Sequence, residues 1–237
     1  MSASRPLVCI VPLCLLVLAC QTASGPKPGA SITQPVQNTG LNPIQQYKQQ
    51  RMADAMRGLD YATGRVVIDE KIAAEIARPG TVEEAFVEAR RGEELLTTNH
   101  FEESISAFTR AVIIASDAPE MYKGLAGALV PKGRMKEAEA AIRTAIDLDT
   151  DYIDARFDLA HLLQLQGRIE EAIDAWYEVL AADADHAHAH YRLALAQYYA
   201  NHYEDSWTHV HRAEDLGLNM PPQFRPLLEG KMSEPQG

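Results

Sequence analysis

The sequence predicts an all-α fold, a solenoid of antiparallel helix pairs, about four of them, behind an N-terminal helical cap. Three observations predict it. Residue classes recur every 34 residues across 84–218. Residues suited to a left-handed turn recur in the same register. Acidic residues open every second helix of the repeating pair. A fixed period of this length is the mark of a stacked-repeat architecture.

The second helix of each pair carries the clearest pattern. A small residue opens its inward face at Ser104, Ala138, Ala172 and Ser206. Four residues later stand Phe108, Ile142, Trp176 and Val210, and three further on Ala111, Ala145, Val179 and Ala213. Residues at i, i+4 and i+7 share one helical stripe. Five residues before the small one stand Asn99, Gly133, Gly167 and Asn201, the types that tolerate a left-handed helix end. Phe101, Met135, Ile169 and Tyr203 follow and anchor the turn. The first helix contributes a small contact residue at Gly92, Ala126, Ala160 and Ala194. Glu102, Glu137, Glu170 and Glu204 lie at helix starts, where the macrodipole favours negative charge by about 0.3–1 kcal/mol each. His100, Arg134, Arg168 and His202 place potential cations just past the preceding helix. Asp149–Asp151 and Asp183–Asp185 are read as caps for the helices that follow. Gly124, Gly127 and Pro131 predict a weak helix that shortens or bends at the proline.

Residues 41–82 read as an N-terminal helical cap. Leu41, Ile44, Tyr47, Met52, Met56 and Leu59 suggest one helix, and Ile68, Ile72 and Ile76 a second before Pro79–Gly80. Gly58, Ala74 and Ala77 fall where a degenerate fifth repeat would place them. Residues 219–237 read as a short C-terminal cap over Pro221–Glu229 and a frayed tail from Gly230.

Composition narrows the function. The 237 residues carry a formal net charge of -11, with 22 Lys and Arg against 33 Asp and Glu. That balance argues against nucleic-acid binding, which rests on neutralising phosphates. The three cysteines are Cys9, Cys14 and Cys20, so no thiol chemistry is available downstream. No nucleophile elbow, phosphate loop or paired-histidine zinc motif occurs. The chain reads as non-enzymatic, with no cofactor.

Residues 1–19 read as a signal peptide: Arg5 precedes Leu7–Leu18, an apolar run broken only by Pro12. It is shorter than the roughly 20 residues a spanning helix needs. The run ends in Val17-Leu18-Ala19-Cys20, which resembles a bacterial lipoprotein box and implies acylation of Cys20. Val17 stands where that box usually has Leu. Residues 20–40 then form a tether rich in Gly, Pro and polar residues. Twenty flexible residues span about 25 Å root-mean-square. By analogy with Gram-negative lipoproteins, Gln21 after the cysteine implies the periplasmic face of the outer membrane.

The 34-residue pattern resembles the tetratricopeptide repeat. The resemblance implies a right-handed superhelix whose stacked first helices line a concave groove. The positions that face this groove in the family fall here on Lys123, Phe157, Asp158, His161, Gln164, His188, Tyr191, Arg192, Tyr198 and Tyr199. Aromatics beside cations and amides suit an extended or helical peptide. Lipobox and repeats together resemble small tetratricopeptide lipoproteins of pilus and secretion assembly. They imply a scaffold that holds another envelope protein.

One feature lies outside that pattern. Six of the eight histidines fall between 186 and 211. His186, His188 and His190 would share one side of a strand, whereas on a helix only His186 and His190 would share a face. His186 and His190 are therefore weak metal candidates, and the cluster supports an alternative metal-binding or pH-responsive role. The simpler expectation is histidines on polar helix surfaces.

Overall fold

A computed structural model describes residues 42–76 and 81–235. The expected signal peptide, Cys20 and tether lie outside the described residues, as do Leu41, Ala77, Pro79 and Gly80. Among the described residues no helix is long and apolar enough to cross a membrane.

The repeats form four helix pairs: α3 (Val82–Thr97) with α4 (Phe101–Ile114), α5 (Pro119–Leu129) with α6 (Met135–Leu148), α7 (Ile153–Leu165) with α8 (Ile169–Ala182), and α9 (Ala187–Tyr199) with α10 (Tyr203–Asp215). The second helices start at Phe101, Met135, Ile169 and Tyr203, 34 residues apart. The fold is therefore an all-α solenoid. Asn99, Gly133, Gly167 and Asn201 all take positive φ, between 60° and 76°. Each ends its helix in a double backbone bond: Arg168 N–H reaches Leu163 O at 3.0 Å while Gly167 N–H reaches Gln164 O at 3.0 Å.

The small contact residues Ala138, Ala172, Ala160 and Ala194 are fully buried. In the first and last repeats the contact is a buried serine, whose hydroxyl donates to the facing helix: Ser104 to Gly92 O at 2.8 Å and Ser206 to Ala194 O at 2.7 Å. Gly92 and Gly124 flank the Phe108 ring. A Cβ on Gly92 would stand 2.6 Å from Phe108 Cε2, and one on Gly124 would overlap the ring. Gly124 is thus a packing glycine rather than a defect in α5. Pro131 sits in a short 3-10 turn, Val130–Lys132, which ends the helix there.

The turn arginines act locally. Arg134 Nη2 bonds Glu137 at 2.6 Å, and Arg168 Nη2 bonds Glu171 at 2.5 Å, so each ties the start of the second helix. The aspartate turns differ from expectation. Asp149 and Asp183 accept from the backbone N–H two residues on, closing Asx turns rather than capping a helix. The cap of α9 is instead His186, whose Nδ1 accepts from Ala189 N–H at 3.1 Å. A second recurring device closes these loops. Tyr122, Arg156 and His190, 34 apart, each donate to the carbonyl six residues earlier: Ser116 at 2.8 Å, Thr150 at 3.1 Å and Ala184 at 3.1 Å.

The solenoid begins at α3. Leu125, Leu159 and Leu193 fill one repeat position and are buried, whereas Arg91 occupies it in α3 and is exposed. Ala128, Leu162 and Ala196 are buried at a second position where α3 exposes Glu94. A polar outer face is what a terminal repeat requires.

The N-terminal segment is not a fifth repeat. Helix α1 (Pro43–Ala55) is started by a capping box between Asn42 and Gln45. It stops before Gly58, which takes φ 94°. Leu59 and Ile68, expected in helices, pair instead across a two-strand hairpin, β1 (Leu59–Asp60) and β2 (Val67–Ile68). A short α2 (Glu70–Ile76) follows. The segment lies along second helices: Arg51 pairs with Glu103 of α4 at 2.5 Å, and Val66 N–H donates to Thr144 of α6 at 2.9 Å.

The C-terminal segment is tied down through Glu234, contrary to a frayed tail from Gly230. Trp207 Nε1–H donates to Met232 O at 3.1 Å, and Arg225 binds Glu214 and Glu234 at 2.6 and 3.1 Å. With α11 (Phe224–Glu229), these residues bury Trp207, Met220, Phe224 and Leu228 as a separate apolar cluster.

Candidate functional site

The first helices approach one another directly, α3 with α5 and α7 with α9, so the array is tighter on their side. The expected groove residues lie on α5, α7 and α9 of that side.

At its middle, Lys123 Nζ stands 3.9 Å from Asp154 Oδ2 and 3.7 Å from Asp158 Oδ2. One ammonium is shared loosely between two carboxylates. Burial pushes the Asp158 carboxyl above its usual range, and Asp154 adds to this against the pull of Lys123. One turn further along α7, burial holds His161 below the ordinary imidazole value and the neighbouring Arg192 charge adds to the effect. His161 is therefore a neutral imidazole near pH 7. Gln164 is half-buried one turn along α7.

Arg192 lies 5.9 Å from the centre of the Tyr191 ring. No carboxylate lies within 4.0 Å of it among the described residues. Every other described arginine except Arg90 has such a partner. In an acidic chain an unpaired guanidinium is the exception, and this one faces the first-helix side beside a neutral histidine. Tyr199 is 65% exposed near the end of the same helix, and His188 is exposed near its start.

Three expected groove residues serve packing instead. Phe157 meets the buried Trp176 edge-on at 4.7 Å and stacks on His186 at 5.1 Å. Tyr198 touches Tyr199, Tyr203 and Phe224 at 5.5–5.9 Å, within the C-terminal cluster. Tyr191 is half-buried against that cluster. Asp154, which shares Lys123, was not among the expected residues. Its signal is the 34-residue step to His188.

The histidines depart most from expectation. His186 caps α9 and stacks on Phe157. His190 turns away from it into the α9–α10 interface, where its Nδ1 lies 2.9 Å from Nδ1 of His209. Both rings are buried, not on a polar surface. The sequence held the clue: Ala107, Ala141 and Ala175, all buried, occupy the position of His209 in the other repeats. Among the described residues no group of three or more potential metal ligands is assembled.

The comparisons agree with this geometry. Tetratricopeptide repeat family models match residues 132–175, and 90–153 with 157–206. No curated protein matches the sequence. Among solved structures, MamA 41-end from Desulfovibrio magneticus RS-1 is similar at 19% identity and TM-score 0.55, over 65% of this chain and 85% of that one. YrrB, described as having an unusual peptide-binding site, is similar at 22% identity and TM-score 0.50, over 56% of this chain and 68% of that one. PilF of Pseudomonas aeruginosa is similar at 16% identity and TM-score 0.53, over 63% of this chain and 66% of that one. At these identities the likeness is one of fold. Matching family models, the 34-residue helix pairs and their left-handed turns coincide: residues 90–206 are built of tetratricopeptide repeats.

Proposed function

We propose that the protein is a non-enzymatic scaffold of the bacterial cell envelope, held by a lipid on Cys20 and tethered by residues 20–40. Its first-helix face, α5, α7 and α9, binds a segment of another envelope protein. Tetratricopeptide repeats serve generally as protein-interaction scaffolds. The observation that carries the reading is Arg192: a charge without a carboxylate partner, beside the neutral His161 and in line with the exposed Tyr199. Such a group is incomplete until a partner supplies an acceptor. A multiply acylated Cys20 would hold the chain firmly, whereas one acyl chain binds a membrane only marginally. The lipobox and Gln21 support the periplasmic face of the outer membrane, and the fold likeness to PilF supports a place in pilus or secretion-system assembly. Against a metal-binding role, His186 and His190 face different partners, Phe157 and His209.

Affinity capture from detergent-solubilised membranes tests this reading, comparing the wild type with Arg192→Glu, Tyr199→Ala. Both substitutions leave Tyr191 in place against the C-terminal cluster, although Arg192→Glu removes the guanidinium over its ring. A bound protein held by the wild type should be weakened about thirtyfold in the variant, the order of a 2 kcal/mol hot spot. Equal capture by both would remove the first-helix face as the docking surface.

A further inference from the structure

We propose that the buried His190–His209 pair is a proton-sensitive latch, which holds the fourth repeat closed when both rings are neutral and releases it on proton uptake. The pair belongs to a directed chain of hydrogen bonds joining α8, α9 and α10. Ala184 O can only accept, so His190 Nε2, 3.1 Å away, carries a hydrogen. In the neutral ring His190 Nδ1 is then an acceptor. The hydrogen between the two Nδ1 atoms, 2.9 Å apart, therefore belongs to His209. That leaves His209 Nε2 to accept from the Tyr177 hydroxyl at 3.2 Å. Tyr177 accepts in turn from Gln197 Nε2 at 3.2 Å, and Gln197 Oε1 accepts from His202 Nδ1 at 2.8 Å. Every ring tautomer is fixed by its neighbours.

The Nδ1–Nδ1 contact holds one hydrogen. With both rings charged, two N–H groups would point at each other across the α9–α10 interface. A single added proton on His209 is also opposed. It is buried, it faces His190, and its second N–H would reverse the bond to Tyr177, whose oxygen already accepts from Gln197. Consistent with this, burial first and the facing His190 second push His209 down to about 4, while Asp205 on its own helix acts in the opposite sense. The other charged groups nearby are Asp185 and Arg212, which pair with each other and tie the α8–α9 loop to α10. From α8 the facing group is Tyr177.

The sign follows from linkage. A histidine with a depressed folded value binds its proton more readily once released. Its stabilising contribution is complete above the unfolded value of about 6.5, and falls as pH drops from there toward about 4. Between those limits one such proton shifts the opening equilibrium about tenfold per pH unit. The latch spans α9, which carries Tyr191 and Arg192, so acid would loosen the C-terminal half of the first-helix face before the middle repeats.

The solenoid contains its own non-titrating control. Repeat 2 carries Tyr122 and Ala141 at the positions of His190 and His209. Tyr122 makes the equivalent bond, to Ser116 O. A His190→Tyr, His209→Ala variant therefore keeps the loop latch without the imidazoles. Amide hydrogen exchange of the full chain, converted to opening constants, should show α9 and α10 opening about tenfold more per pH unit below 6.5, relative to the histidine-free α5 and α6. The variant should show no such excess. Equal pH dependence in wild type and variant would overturn the proposal. A second measurement needs no variant. Nitrogen NMR of the wild-type histidines at pH 7.5 should find hydrogen on Nδ1 of His209 and on Nε2 of His190. The opposite tautomer on His209, or its titration near 6.5, would equally overturn it.

Discussion

Gly124→Ala should destabilise the protein by about 1–3 kcal/mol, although alanine in a helix interior normally gains about 1 kcal/mol over glycine. The reason is the Phe108 ring, wedged between Gly92 of its own repeat and Gly124 of the next. Phe108 is 1% exposed, and the atoms in the path of a new Cβ belong to a buried ring with no room to swing away. The last repeat shows what relieves the clash, because Val210 stands at the corresponding position. Phe108→Val alone should cost about 2–4 kcal/mol for the cavity. Combined with Gly124→Ala it should cost less than the sum of the two, with a coupling of about 1 kcal/mol or more. Urea unfolding of the four proteins measures this. Additive costs would mean that ring and glycine do not compete for one space.

Trp207→Ala should cost about 3–5 kcal/mol and act mainly on the C-terminal end. The indole is completely buried by residues that follow the last repeat. Its N–H is bonded to Met232 O, Arg225 lies 5.3 Å over its face, and His211 stacks on it at 5.7 Å. Without it, Met220, Phe224 and Leu228 lose their common partner, and the ion pairs of Arg225 are left to hold the segment. Solvent-accessible ion pairs contribute about 1 kcal/mol or less, too little to replace a buried indole. Limited proteolysis should therefore cut within 218–235 in the variant well before cleavage in α5–α8. Trp176→Ala, which removes the buried indole of the third repeat at the position Val210 fills in the fourth, should destabilise the central core without that selectivity. An unchanged cleavage order would show that the C-terminal cap does not depend on Trp207.

The repeat was legible because helix packing writes itself into sequence at a fixed period. Asn99, Gly133, Gly167 and Asn201 reveal their left-handed turns by residue type alone. The N-terminal segment was misread because Met52, Met56 and Leu59 continue a helical spacing through Gly58. Nothing in spacing distinguishes a helix from a helix that ends in a tight turn and a hairpin. Its placement on α4 and α6 depends on Arg51, Val66 and their partners 50 to 80 residues away. The first-helix face was legible as a register but not as chemistry. Phe157 and Tyr198 occupy groove positions yet pack inward, since an aromatic ring serves a core and a docking surface equally well. His209 was readable in principle. A histidine set against three alanines at one buried position is a polar group that must find a partner inside. Counting histidines along the chain concealed it, and comparing them down the repeat register would have exposed it.

The first-helix face is proposed to receive another polypeptide. Site-specific photo-crosslinking in intact cells tests it most directly, with the reactive residue placed at His188 or Tyr199 on α9 and, for contrast, at Asp174 on α8 or Thr208 on α10. All four sites are exposed. A discrete adduct of one envelope protein is expected from His188 and Tyr199 and none from Asp174 and Thr208. Adducts from the second-helix sites alone would contradict it and move the binding surface to the opposite side of the solenoid.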